Sequence, residues 1–223
     1  MIPFTRMINF GNVVRNTNII DLDFRNAMLG TSDVLDVSDH HYPFTKINST
    51  GTNVIQFDST LNTNVMYFNG ALYSTPMVSD LYLSSKNFEI EFVYKSLAGG
   101  VSVLFGTGYY PDTANRISGI CYQMHQNTDA PQTFVTGTIE TSYWRNQMSG
   151  VGDNTWYRVV ITRTGTTVSV SCYNMAGALI ASRSDGSGQT FGNGTSFGIG
   201  GYYKTLTSNL FYGYVQYLKI KEL

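Results

Sequence analysis

NTWYRVVITRTGTTVSVSCYNMAGALIAS, Asn154–Ser182, decides how the rest of the chain is read. Trp156–Arg163 and Val168–Tyr173 are two runs rich in Val, Ile, Tyr and Thr, separated by Thr164–Thr167 with Gly165 inside. β-branched and aromatic runs on either side of a glycine turn predict an antiparallel hairpin. Asn174–Gly177 supplies a second turn, after which Ala178–Arg183 continues the meander.

The same rhythm extends in both directions. Upstream, the sequence predicts strands at Ile19–Phe24, Asn53–Asp58, Asn64–Phe68, Asn87–Lys95, Val101–Gly106, Ile117–His125 and Gln132–Ile139. In NFEIEFVYK the apolar Phe88, Ile90, Phe92 and Tyr94 alternate with Glu89, Glu91 and Val93, so one strand face is buried. Downstream come Ser196–Gly200 and Phe211–Ile220. Strict alternation in the last strand puts Tyr212, Tyr214, Gln216, Leu218 and Ile220 on one face. Phe211, Val215, Tyr217 and Lys219 take the other. No segment carries a helical period, and pairing the two terminal strands would close a sandwich. The predicted fold is all-β, a two-sheet antiparallel jelly-roll sandwich over residues 18–223. Residues 1–17 read as an extended arm that holds Phe4, Met7, Ile8 and Phe10, an apolar attachment segment for a partner or a second copy.

Composition narrows the function. The 223 residues are 42% hydrophobic and 14% aromatic, so a sizeable core can form. Only 13% are charged, with 14 basic against 15 acidic residues. That balance speaks against sequence-independent nucleic-acid binding, which needs a basic stripe. No apolar run is long enough for a membrane-spanning helix. The opening MIPFTRMINFGNVVRN lacks an apolar h-region, so no secretory leader is expected. Cys121 and Cys172 fall in strand-like runs without a metal-ligand spacing and read as two buried thiols.

Four blocks resemble the concanavalin A-like lectin/glucanase superfamily in its laminin-G-like or pentraxin-like form. They are IIDLDFRN (Ile19–Asn26), MYFNGALYSTP leading to DLYLSSKNFEIEFVYKS (Met66–Ser96), Asn154–Ser182, and SFGIGGYY with NLFYGYVQYLKI (Ser196–Ile220). The resemblance covers most of the chain in the expected order. It departs from the family pattern at Asn174-Met175-Ala176-Gly177, where the family has Asp-Gly, and at Gln216, where it has an acid. Some members bind Ca2+, and Asp21, Asp23, Asp58, Asp112 and Asp153 are the carboxylates that could serve here.

Hydrolysis in this superfamily needs carboxylates on one strand face about 5 Å apart. Glu89 and Glu91 lack the third acid of that pattern, Glu140 is isolated, and both strand acids read as a polar face. Tyr122-Gln123-Met124-His125 is similar to one strand of alginate lyases, with Gly201-Tyr202-Tyr203-Lys204 nearest to another, but the arginine strand is missing. His40 and His41 in SDHHYP read as loop residues. No enzyme is therefore expected. Binding fits better, because sugar rings pack their C–H faces on aromatic rings while amides bond their hydroxyls. Three segments read as loops with that mix. They hold Tyr109 and Tyr110, Tyr143 and Trp144 (in Ser142–Gln147), and Tyr202 and Tyr203.

Domains of this kind, rich in Thr, Asn, Gly and Tyr, are similar to those of bacteriophage particles. The expectation is a virion surface protein, tail fibre, tailspike or head decoration, made in the host cytoplasm. It would be homo-oligomeric, bind host-surface carbohydrate and meet other virion proteins through the arm. A purely structural decoration protein is the alternative, and a polysaccharide lyase or glycosidase comes third.

Overall fold

The structure is a computed structural model that describes residues 18–48, 50–97, 102–107, 119–124, 131–136, 143–147, 151–185, 194, 196–201 and 210–223. The arm, residues 1–17, lies outside them. In chain order the strands are β1 (Ile20–Asp23), β2 (Thr45–Lys46), β3 (Thr52–Asp58), β4 (Thr63–Asn69) and β5 (Tyr73–Pro76). There follow β6 (Phe88–Ser96), β7 (Ser102–Thr107), β8 (Gly119–Met124), β9 (Pro131–Thr136) and β10 (Tyr143–Gln147). The last are β11 (Tyr157–Thr164), β12 (Thr167–Asn174), β13 (Leu179–Asp185), β14 (Ser196–Ile199) and β15 (Tyr212–Glu222).

They form two antiparallel sheets. One runs β13-β12-β11-β6-β15-β4-β3, with β1 as an eighth strand on β15. The other has seven strands in the order β10-β9-β8-β7-β14-β5-β2. The chain crosses between the sheets repeatedly, as a jelly-roll sandwich requires. The hairpin read from Asn154–Ser182 is β11–β12, in register from Tyr157↔Asn174 to Thr164↔Thr167. Gly165 takes φ +60° in its turn, a left-handed value that glycine adopts without steric cost. Closure by the termini also holds. β6 pairs along the length of β15, and β1 and β4 divide its other edge.

One core lies between the sheets. Phe88, Ile90, Phe92 and Tyr94 of β6 meet Leu104, Phe105, Ile120, Tyr122, Phe197 and Ile199 from the seven-stranded sheet. Phe92 is central, with ring centroids 5.4 Å from Phe105 and 4.7 Å from Tyr122. Tyr94 and Tyr122 share a buried hydroxyl–hydroxyl hydrogen bond of 2.9 Å. Burial pushes both phenols well above their usual pKa, so both stay neutral.

β15 corrects the strict alternation. A bulge between Val215 and Tyr217 makes Gln216 the extra residue. Val215, Leu218 and Ile220 therefore share the core face, while Tyr214 and Tyr217 lie together on the opposite one. Cys121 and Cys172 keep buried thiols in different sheets, and no disulfide joins them.

Candidate functional site

Tyr109, Tyr110, Tyr202 and Tyr203 lie outside the described residues, but the strand ends that lead to them are placed. β7 ends at Thr107, whose Oγ1 accepts the N–H of Ile120 at 3.0 Å. Beside it, Gly119 pairs with Thr136 and Thr136 with Tyr143, so β10 starts at that same sheet end. The chain thus departs toward Tyr109 and Tyr110 near the start of β10. β14 runs antiparallel to β7 and ends with Ile199 opposite Phe105. The chain departs toward Tyr202 and Tyr203 from the other end.

Tyr143 and Trp144 correct the loop reading of Ser142–Gln147, because residues 143–147 form the edge strand β10. Successive strand positions belong to opposite faces. Trp144 shares its row with Val135 and Ile120, and Ile120 belongs to the core between the sheets. Tyr143 occupies the opposite, outer face. Sequence reasoning grouped the two as neighbours, and the strand separates them.

Register then defines that outer face. Its first row is Gly119, Thr136 and Tyr143; its second is Cys121, Phe134 and Arg145; its third is Gln123, Gln132 and Gln147. Nine positions on three adjacent strands thus collect a central phenylalanine, three glutamines, an arginine and a tyrosine. Strands stand about 4.8 Å apart and like-facing positions about 6.8 Å, so the rows cover roughly 10 by 14 Å. Gln123, Gln132 and Phe134 were missed as site residues, since alternation shows faces but not which residues of three strands stand abreast.

The face is closed toward β14. Gly119, Cys121, Val103 and Gly198 are buried. A Cβ on Gly198 or Gly201 would meet the Leu72 side chain at 3.5 or 3.3 Å, and Leu210 also stands over Gly201. Leu72 thus covers β14 at Gly198 and the following Gly201, where Leu210 joins it.

Glu89, Glu91, Asp21 and Asp23 are engaged by cations of the protein. On the outer face of the eight-stranded sheet Glu89 meets Lys221 at 2.8 Å. Glu91 meets Arg158 at 3.4 Å and accepts the Tyr217 hydroxyl at 2.6 Å. Burial and this bond to Glu91 push the Tyr217 phenol far up. Asp21 and Asp23 do converge, but on the Lys219 ammonium, at 3.4 and 3.6 Å. No group of three His, Cys, Asp or Glu with metal-binding geometry occurs among the described residues. Asp153 lies in a turn, where its carbonyl accepts the Thr155 hydroxyl, and Asp112, His125 and Glu140 are outside the described residues. His40 and His41 lie in a loop as expected. The His40 ring stacks on Tyr42 and stands 3.6 Å from Asp80. Asp36 organises that loop by accepting the N–H groups of Asp21, Ser38 and Tyr42.

Asp58 is structural too. One oxygen accepts the N–H groups of Thr60 and Leu61, and the other meets Lys95 and the Trp156 indole N–H at 3.3 Å each. Lys95 in turn lies over the Trp156 and Tyr214 rings. Burial alone would raise the Asp58 carboxyl, but the Leu61 N–H, Lys95 and the Thr60 N–H outweigh it and hold it below the ordinary value. A carboxyl depressed in the folded state stabilises above its unfolded pKa and loses that contribution as pH falls through the folded one. Asp58→Asn is therefore expected to cost about 1–3 kcal/mol near neutral pH. In urea titrations the gap from wild type should close below about pH 4.

No family model matches the chain, and no curated protein matches it in sequence. Among solved structures, it is similar to the botulinum neurotoxin serotype D binding domain, with TM-score 0.62 and 13% identity over 93% of this chain and 49% of that one. A structure described as showing that cell entry of botulinum neurotoxin type C depends on interaction with two ganglioside molecules gives TM-score 0.54, 14% identity, and 93% and 48% coverage. The botulinum neurotoxin DC binding domain in complex with rat synaptotagmin II gives TM-score 0.53, 13% identity, and 93% and 49% coverage. The chain spans about half the length of these solved chains, and at such identity the likeness establishes the β-sandwich alone.

Proposed function

We propose that this chain is a non-enzymatic carbohydrate-binding sandwich of the concanavalin A-like superfamily. Its role is to present a glycan-binding face on the surface of a bacteriophage particle, toward host-surface carbohydrate. The observation that carries the binding reading is the outer face of β8–β10. An aromatic position is ringed there by amide and hydroxyl positions, the combination that pyranose rings require. The four sequence blocks support the superfamily. They fall on β1, on β4 to β6, on β11 to β13, and on β14 with β15. The neurotoxin structures support a recognition role, since one is described by ganglioside interaction and another as a complex with rat synaptotagmin II. The pairing of Glu89 and Glu91 with cations supports binding rather than hydrolysis. The virion setting rests on composition and the phage resemblance, with residues 1–17 as the attachment segment.

A glycan array with wild type beside Tyr143→Ala tests this reading. Wild type is expected to bind a defined set of glycans. Tyr143→Ala should lose about tenfold in affinity, or about 1.4 kcal/mol, with an unchanged melting temperature. No binding to any glycan by the folded protein, with calcium supplied, would shift the function to structural decoration.

A further inference from the structure

We propose that His40, Tyr42 and Asp80 form a site for a divalent transition-metal ion of the Zn2+/Cu2+ class, apart from the glycan face. Three donor atoms stand there at the corners of a small triangle. Tyr42 Oη lies 3.2 Å from Asp80 Oδ2 and 3.4 Å from His40 Nδ1, and the third side, Nδ1 to Oδ2, is 3.6 Å. A tetrahedral ion with bonds of about 2.0–2.2 Å holds its donors about 3.3–3.6 Å apart. An ion seated against this triangle therefore reaches all three atoms at ordinary bond lengths. The His40 and Asp80 side chains are 40% and 51% exposed, so the fourth position opens to solvent.

The base under the donors is fixed. Asp36 is buried and accepts the N–H groups of Ser38 and Tyr42, and the Ser38 hydroxyl accepts the His40 N–H at 3.2 Å. A bridge between Leu35 and Pro43 closes this loop, and Tyr42 packs partly against the core. The His40 ring stacks on Tyr42 with 5.3 Å between centroids, which keeps the imidazole beside the phenol. Asp80 arrives from another segment, the short 3-10 turn Ser79–Leu81, anchored by buried Leu81. A bound ion would join the loop to that turn.

Charge and donor type select the ion. Burial and the charges of Asp80 and Asp36 push the Tyr42 phenol up to about 12, the mark of a site short of positive charge. Lys86 reaches the Asp80 carbonyl at 3.2 Å, but its charge is met by Glu222 at 2.8 Å. One imidazole nitrogen with two oxygens suits Zn2+ or Cu2+. Ca2+ takes six to eight oxygens and finds too few here. The same triangle can also serve as a plain hydrogen-bond network, with the Tyr42 hydroxyl donating to Asp80. The test separates that role from binding.

The untagged full chain is titrated with Zn2+ and Cu2+, with Ca2+ and Mg2+ as controls, and followed by calorimetry and thermal melts. Zn2+ is expected to bind and raise the melting temperature, because ligation favours the folded state, while Ca2+ and Mg2+ do neither at the same concentration. His40→Ala and Asp80→Asn should each weaken Zn2+ and Cu2+ by about tenfold or more. His41→Ala should leave both unchanged, since the His41 Nδ1 lies outside the triangle, 3.3 Å from the Asp36 carbonyl oxygen. With Cu2+ the wild type should show a phenolate-to-copper charge-transfer absorption, which Tyr42→Phe abolishes. His40→Gln decides the matter if His40→Ala does not fold. Four results would overturn the proposal. They are no binding of either ion, binding that survives His40→Ala or Asp80→Asn, binding lost in His41→Ala, or a charge-transfer absorption that is absent from wild type or persists in Tyr42→Phe.

Discussion

Gly200→Ala is expected to destabilise the protein by about 3–5 kcal/mol, the combined scale of left-handed strain and forced overpacking. Gly200 takes φ +85°, and a Cβ there would lie 2.0 Å from the Ala71 carbonyl oxygen and 3.0 Å from Phe68 Cδ1. The first neighbour is backbone and cannot swing away. The residue also joins elements. Its N–H donates to the Leu104 carbonyl at 2.7 Å, and its own carbonyl accepts the Phe211 N–H at 2.9 Å. Moving Gly200 to relieve the clash therefore pulls on β7 and on the chain leading into β15. Gly177 is the control, since it also takes φ +85° but has open space where a Cβ would go. Gly177→Ala should cost only the backbone strain, about 1 kcal/mol. The difference between the two variants in denaturant midpoint isolates the steric contribution. Equal losses would show that the chain around Ala71 yields.

How much of this was legible beforehand follows from the range of the interactions involved. The β11–β12 hairpin was readable because its turn and both strands are contiguous in sequence. The β6 face was readable because Phe88, Ile90, Phe92 and Tyr94 repeat with a period of two. Pairing of β1 with β15 followed from two strong terminal strands and the need to cover a sheet edge. The bulge at Gln216 was not readable, because one extra residue in β15 reverses every later side chain without any marker in the sequence. The binding face was legible only in part. Tyr143 was singled out for being aromatic in a polar stretch, and the fold keeps it on an outer row. Trp144 was singled out for the same reason, and the fold assigns it the row of Ile120. Five residues, YWRNQ, are too few and too polar to announce an edge strand. The alignment of Gln123, Gln132 and Gln147 is set by pairings between three separate strands, and no local pattern encodes it.

Phe92→Ala is expected to have the other large effect, a loss of about 3–5 kcal/mol, because the cavity cannot collapse from either side. Phe92 is fully buried and touches Tyr94 on its own strand and Phe105 and Tyr122 across the core. Domains of this size have total stabilities of about 5–15 kcal/mol, so the variant should be marginal at 37 °C. The consequence reaches the binding face. Tyr122 lies on the reverse of the strand that carries Cys121 and Gln123, and its ring is held by Phe92 while its hydroxyl is held by Tyr94. Removing the Phe92 ring should loosen β8 and speed amide exchange at Ile120 and Tyr122 before global unfolding. Glycan affinity should then fall together with stability. Tyr143→Ala should differ in stability alone, losing affinity at an unchanged melting temperature. Loss of affinity in both variants, with loss of stability in Phe92→Ala alone, would show that the core positions the face and the outer row reads the ligand. Parallel loss of stability in both would instead place Tyr143 in the structural framework.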